Sequence, residues 1–313
     1  MFKRFISSLL LSGAVLGASA FTPVFAKDNT PGANAVMSFD SRFHPVVAPN
    51  GMVSAQDRIA AEVGRDILAR GGNAIDAAVA TGFALAVTHP QAGNLGGGGF
   101  MIVHLADQDK TITIDFREMA PAKAERDMFI GDDGNVDNSR ARFSHLSAGV
   151  PGTVMGMLDA LEDYGTMSRR EVIGPAIRLA RQGFPMSYTL AQSLENSREQ
   201  LSVDPSSKAY FFKPSGSGYR AGDTFTQKDL AVTLKRILRD GREGFYAGET
   251  ARLLLVEMDL GGGVMTQADL DGYKAVKREA VRGDYKGYEI ASMPPPSSGG
   301  IHVIQMLNIL SGY

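Results

Sequence analysis

Residues 71–87 read Gly71-Gly72-Asn73 and then AIDAAVATGFALAV from Ala74 to Val87. Asn73 has the chemistry of an N-cap, and Asp76 stands three residues on, where a carboxylate reaches back to the free amides of a helix start. After Asp76 the stretch is apolar on every face. A helix of that kind is buried on all sides, or nearly so. Its many alanines and Gly82 allow neighbours to approach closely, which suits a layer packed against sheets and not a surface helix. Pro90 forbids continuation. Upstream, Ser54 with Asp57 three residues on reads as a helix start. Ile59, Val63 and Ile67 recur every four residues and predict an amphipathic helix over 55–70, ended by Gly71-Gly72. Downstream comes Gly93-Asn94-Leu95-Gly96-Gly97-Gly98-Gly99, then a predicted hairpin: strand Phe100–Leu105, turn 106–110, strand Thr111–Phe116. Ile112, Ile114 and Phe116 alternate with Thr113 and Asp115. Arg117-Glu118 stands at the strand exit, where a rigid element aims a side chain.

The remainder alternates helices with breakers. Val150-Pro151-Gly152-Thr153 opens a helix through Leu161. Further helices are predicted over 170–182, 187–199, 227–239 (capped by Thr226) and 249–260, with a short one from Thr266 to Tyr273. Residues 131–142 read as an exposed loop, and 202–222, rich in Ser, Pro and Gly, as an irregular excursion. Two short strands flank Tyr285-Lys286-Gly287-Tyr288. Pro294-Pro295-Pro296-Ser297-Ser298-Gly299-Gly300 is rigid and then flexible, and His302–Leu310 begins an amphipathic helix. The pattern is α+β.

The 313 residues are 44% hydrophobic and 21% charged, as in an ordinary globular protein. Lys+Arg (32) nearly balances Asp+Glu (34), so no basic excess exists for nucleic-acid binding. The absence of cysteine excludes disulfides, thiolate metal sites and a cysteine nucleophile in these residues. Met1–Ala26 reads as a secretory signal: Lys3 and Arg4, an apolar run from Phe5 to Phe21, and small residues at Val24 and Ala26. Residues 27–50 form an N-terminal arm and 51–313 the domain. Past Ala26 no run of about 18 apolar residues occurs, so no membrane association is expected once the signal is removed.

Chemistry is sparse in the residues themselves. His44, His89, His104, His145 and His302 are not spaced for one helix face, and no HExxH is present, so no metal site is expected. The glycine run at 96–99 lacks a P-loop ending and precedes a strand. It serves either close backbone approach to a ligand or a packing corner between helix and sheet. No G-x-S-x-G occurs. Arg117 is the candidate binding residue, since a guanidinium matches a carboxylate in bidentate fashion. The competing reading is a structural ion pair with Asp115 or Glu118.

Several motifs carry a resemblance when taken together and in order. They are Gly71 to Ala80 (GGNAIDAAVA), Thr88-His89-Pro90, Gly93 to Phe100 (GNLGGGGF), Asp115 to Pro121 (DFREMAP), Val150 to Thr153 (VPGT), Tyr164-Gly165 and Pro294 to Gly300 (PPPSSGG). Together they resemble the gamma-glutamyltranspeptidase family over essentially the whole chain past the signal. The resemblance implies a precursor that cuts itself into a large and a small subunit, which pair as a heterodimer. It implies the N-terminal-nucleophile hydrolase fold, a four-layer αββα sandwich, of which this chain is the large-subunit portion. It implies attack by a threonine on the γ-glutamyl amide of glutathione or another γ-glutamyl compound, then transfer to water or to an amino-acid or peptide acceptor, with no cofactor. Arg117 matches the family arginine that binds the glutamyl α-carboxylate.

One departure stands out. The family nucleophile lies in a T-T-H-[FY]-S type motif, and no Thr-Thr pair occurs here. The expectation is that no catalytic nucleophile lies in this chain, that the chain alone is inactive, and that half a sandwich leaves the buried-type helix 74–87 poorly covered. Alternatives are a catalytically inactive scaffold or remnant, and a cephalosporin (glutaryl) acylase of the same superfamily. The signal places the protein in the periplasm or outside the cell.

Overall fold

The structure is a computed structural model that describes residues 47–313. The signal, residues 1–26, and all but the last four residues of the arm lie outside the described residues. In chain order the elements are α1 (Arg58–Ala69), α2 (Ala74–Thr88), β1 (Phe100–Leu105), β2 (Lys110–Asp115), α3 (Asn138–Phe143), α4 (Thr153–Tyr164) and α5 (Arg169–Gln182). Then come β3 (Phe184–Pro185), α6 (Tyr188–Asn196), α7 (Arg198–Leu201), α8 (Pro205–Phe211), β4 (Thr224–Phe225), α9 (Lys228–Asp240) and α10 (Glu243–Tyr246). The last are α11 (Gly248–Leu260), α12 (Gln267–Gly272), β5 (Val276–Glu279), β6 (Val281–Tyr285), β7 (Tyr288–Ser292) and α13 (Gly299–Leu310).

α2 is the hub. Asn73 and Asp76 form the capping box expected from the sequence, and the helix packs against α1, α4 and α5. Val79, Ala80, Phe83, Ala84 and Val87 are fully buried. At its C-terminal end the buried Gln227 donates from Nε2 to the Val87 carbonyl at 2.6 Å, satisfying an acceptor that the helix itself leaves open. α4 joins this helical layer to a three-stranded antiparallel sheet of order β1-β2-β5. Register pairs Met101 with Ile114 and Val103 with Ile112, so one face of the sheet carries the apolar side chains. Two further pairs, β3-β4 and β6-β7, stand apart, and α13 packs on the β6-β7 hairpin.

Several expectations are corrected. Asp57, not Ser54, caps α1, because its carboxylate accepts from the Ala60 amide. The supposed excursion at 202–222 contains α8, started by Asp204 with Pro205 at its first position. The supposed loop at 131–142 runs into α3, capped by Asp137. The single stretch 187–199 is split near Ser197 into α6 and α7. Thr226 does not cap α9: the cap position is Gln227, whose side chain is committed to α2 and so makes no cap bond. α13 starts at Gly299 and is apolar nearly all round, not amphipathic. The expected exposure of the 74–87 helix is also wrong, because α1, α4 and α5 cover it. Uncovered apolar surface lies on α13, on α11 at Leu253, Val256 and Leu260, and on the far side of the sheet, where Ile102 and Val276 are exposed.

Candidate active site

Arg117 follows directly from β2. Gly99 and Phe116 exchange both backbone hydrogen bonds (3.0 and 3.2 Å), extending the β1-β2 ladder to the residue before it. Its amide donates to Asp115 Oδ1 at 3.1 Å, and its carbonyl accepts from the Tyr273 hydroxyl at 2.8 Å. Tyr273 is itself buried and stacked on Tyr246, with ring centroids 5.9 Å apart. Arg242 donates to the Tyr273 carbonyl at 3.0 Å. The backbone of Arg117 is thus held on both sides by side chains that are themselves fixed.

The guanidinium is free by contrast. It is exposed, makes no ion pair among the described residues, and has one weak contact, Nη1 to the Pro296 carbonyl at 3.4 Å. That carbonyl stands two residues before Ser298, the N-cap of α13, which makes no side-chain cap bond. Two segments far apart in sequence, around Arg117 and around Pro296, therefore meet. The Gly299 amide turns to the Ser297 hydroxyl at 3.2 Å, and a guanidinium beside the start of a helix is an environment for an anionic group. The competing reading, an ion pair with Asp115 or Glu118, fails. Asp115 Oδ2 is taken instead by Arg278, whose Nε and Nη2 both lie at 2.9 Å.

The glycine run packs against this strand exit. The Gly97 carbonyl accepts from the amides of Gly152 (2.7 Å) and Thr153 (3.0 Å), so it finishes the start of α4. A Cβ at Gly98 would stand 2.5 Å from the Phe116 carbonyl oxygen, and one at Gly99 would stand 2.7 Å from the Phe116 ring. Of the two readings of the run, the packing corner is the one its surroundings favour at Gly97, Gly98 and Gly99. Gly96 is exposed, and a Cβ there would meet no atom of the described residues within 4 Å.

No group of three or more His, Asp or Glu suited to a metal occurs among the described residues. His104 meets Thr111 and His145 meets Glu257, so both act as local polar partners. A separate cleft of about 890 Å³ lies between α4, the 165–169 turn and the α9–α10 corner, lined in part by Asp159, Arg169 and Arg242. Burial, with Asp163 and Glu162 nearby, holds the Asp159 carboxyl above the usual carboxylate value. Arg117 does not line it. Sequence reasoning missed Tyr273 and Arg278, because both act across long sequence separations and neither belongs to a local motif.

The family model described as Gamma-glutamyltranspeptidase matches residues 60–313. The chain belongs to the gamma-glutamyltranspeptidase family. It is 49% identical to a glutathione hydrolase proenzyme of Escherichia coli (strain K12), over 99% of this chain and 52% of that protein. It is 40% identical to an acylase ACY 1 proenzyme of Pseudomonas sp. (strain V22), over 89% of this chain and 50% of that protein. The crystal structure of Helicobacter pylori gamma-glutamyltranspeptidase matches with a TM-score of 0.84 at 47% identity, covering 86% of this chain and 77% of that one. The chain spans about half the length of the curated relatives it matches. Its α+β fold is accordingly that of the N-terminal-nucleophile hydrolases to which the gamma-glutamyltranspeptidases belong, in the portion that these residues supply.

Proposed function

We propose that this chain is the glutamate-anchoring, large-subunit part of a self-processing γ-glutamyl transferase and glutathione hydrolase. The observation that carries this reading is the uncommitted guanidinium of Arg117, held by its backbone at a strand exit and aimed at the Pro296 turn. In this reading Arg117 pairs with the α-carboxylate of a γ-glutamyl group, and the pairing fixes where the γ-carbonyl sits. A threonine hydroxyl, which the family resemblance assigns to a segment outside these residues, attacks that carbonyl carbon. Its proton passes through the free α-amino group to the departing amine, the C–N bond breaks, and an ester to the glutamyl group remains. Water or an amino-acid or peptide amine then takes the acyl group. The small subunit that carries the threonine is the expected partner, formed by cleavage of the precursor. The basic and apolar N-terminal segment supports export to the periplasm or the medium. N-terminal sequencing of the exported protein tests that part; a chain that retains residues 1–26 in the cytoplasm would refute it.

The test of the anchoring role is Arg117→Lys in the complete gene product. Lysine keeps the charge but loses the planar fork, so KM for a γ-glutamyl anilide should rise about tenfold or more. Unchanged KM and kcat would sink the assignment. The similarity to an acylase supports a second reading, in which a glutaryl amide is the substrate. A glutaryl group keeps a carboxylate for Arg117 but lacks the α-amino group. Comparing kcat/KM for γ-glutamyl and glutaryl anilides separates the two readings, and a preference for glutaryl would overturn the glutamyl one.

A further inference from the structure

We infer that Arg278 is a positioning residue that keeps Arg117 available to its ligand by occupying the carboxylate that would otherwise capture it. The inference rests on the anchoring role of Arg117 proposed above and adds what makes that role possible. Asp115 stands two residues before Arg117 and is almost wholly buried. It is within two residues of a guanidinium that has no ion-pair partner of its own among the described residues. A buried carboxylate without a cation is costly, so Asp115 must draw a positive group from its surroundings. Two arginines neighbour it, Arg117 two residues on along the chain and Arg278 on the paired strand. The sheet register decides which one is used: Thr113 pairs with Arg278, and Asp115 pairs with Val276, so Arg278 lies diagonally across from Asp115 on the same face of the β2-β5 ladder. The Thr113 hydroxyl donates to the Arg278 carbonyl at 2.9 Å and holds that strand in place.

The division of labour at Asp115 follows. Oδ2 receives Nε and Nη2 of Arg278, both at 2.9 Å. Among the described residues, Oδ1 receives only the backbone amide of Arg117, at 3.1 Å. One carboxylate thereby orients the backbone of Arg117 and is neutralised by a different arginine, leaving the Arg117 side chain exposed and without an ion-pair partner among the described residues. Without Arg278, the cheapest way to compensate Asp115 is for the Arg117 guanidinium to fold back on it. The α-carboxylate of a ligand would then have to displace an internal ion pair.

The experiment uses the complete gene product with a γ-glutamyl anilide, in four variants: Arg117→Lys, Arg278→Met, Arg278→Lys and the double variant Asp115→Asn/Arg278→Met. Arg278→Met should raise KM about five- to tenfold with kcat within about twofold of wild type, the signature of lost ground-state binding. Arg278→Lys, which keeps the charge beside Asp115, should recover most of the loss. The double variant should also recover, because a neutral carboxamide in place of the carboxylate has no charge to capture Arg117 yet still offers an oxygen to its backbone amide. A purely structural role for Arg278 predicts a different pattern: lower kcat and thermal stability together in Arg278→Met, both restored in the double variant, with KM unmoved in either. A direct contact between Arg278 and substrate predicts that the double variant stays impaired. Either pattern overturns the inference. If Arg278→Met does not accumulate as folded protein, Arg278→Gln takes its place, since it can still hydrogen-bond Asp115 but carries no charge: a KM raised about fivefold upholds the inference and an unchanged KM refutes it. Should Arg117→Lys itself leave KM unchanged, it is the anchoring role that fails. An Arg117→Lys defect with a normal Arg278→Met enzyme refutes the present inference alone.

Discussion

Asp76 shows how a single carboxylate ties two helices together. It has no exposed surface, and its oxygens accept from the amides of Asn73, Thr166 and Met167 and from the Thr166 hydroxyl. Burial alone would push its pKa up, but those hydrogen bonds favour the charged form and hold it below the usual carboxylate value. The residue therefore joins the start of α2 to the turn between α4 and α5. Asp76→Asn puts an amide NH₂ among backbone donors and leaves at least one unsatisfied, which should cost about 2–4 kcal/mol at neutral pH. The pH dependence follows from linkage. A depressed folded-state pKa adds stability that is complete above the unfolded-state pKa and is lost as pH falls through the folded one. In urea unfolding the gap between wild type and Asp76→Asn should hold steady at neutral pH and shrink below about pH 4. A gap that stays constant in acid would show that ionised Asp76 is not the source of the stability.

Helices set the position of Arg117 through close approach, and glycine makes the approach possible. A Cβ at Gly156 in α4 would lie 2.1 Å from Cγ of the Phe116 ring, an atom that cannot move without moving the strand exit. A Cβ at Gly82 in α2 would meet the Met157 sulfur at 2.6 Å, near the end of a flexible chain. Gly156→Ala should therefore cost about 1–3 kcal/mol through overpacking. Gly82→Ala should cost less than about 1 kcal/mol, since alanine's better helix propensity offsets the shift of a methionine. Thermal melts of the two variants test this ordering, and the reverse order would refute the packing account. The same contrast explains what was legible beforehand. The capping box of α2, the β1-β2 hairpin and the place of Arg117 were readable because their signals are local: cap spacing, alternation and helical period. β5 was not, since Val276–Glu279 is exposed throughout and is defined by pairing with β2 across more than half the chain. The roles of Gln227, Tyr273 and Arg278 were hidden for the same reason, as each acts on a residue far away in sequence. α8 was hidden differently: its Ser and Pro content reads as loop, although Asp204-Pro205 is also a helix start.

At the scale of the whole molecule, apolar surface is distributed unevenly. The helical layer around α2 is closed, whereas α13 is not. Gly300, Ile304 and Leu307 face the β6-β7 hairpin side, and a Cβ on Gly283 would stand 2.6 Å from Ile304, so the inner contact is tight. Val303, Met306 and Leu310 follow one another at helical spacing on the outer side and are exposed, as is Ile309 at 61%. Contiguous apolar surface of this kind drives association unless something covers it. The chain of 313 residues, made by itself, should therefore bind an apolar dye and self-associate in sedimentation as its concentration rises. Met306→Lys together with Leu310→Lys places charges on that outer face without touching the inner one. The pair should weaken the association and the dye signal while leaving the far-UV circular dichroism and the urea midpoint within error. If instead the substitutions unfold the chain, α13 owes its place to those side chains and the assignment of its two faces is wrong. If association persists unchanged, the adhesive surface is not α13 but another exposed apolar patch, either Ile102 and Val276 of the sheet or Leu253, Val256 and Leu260 of α11, and charges placed on the one responsible should abolish it.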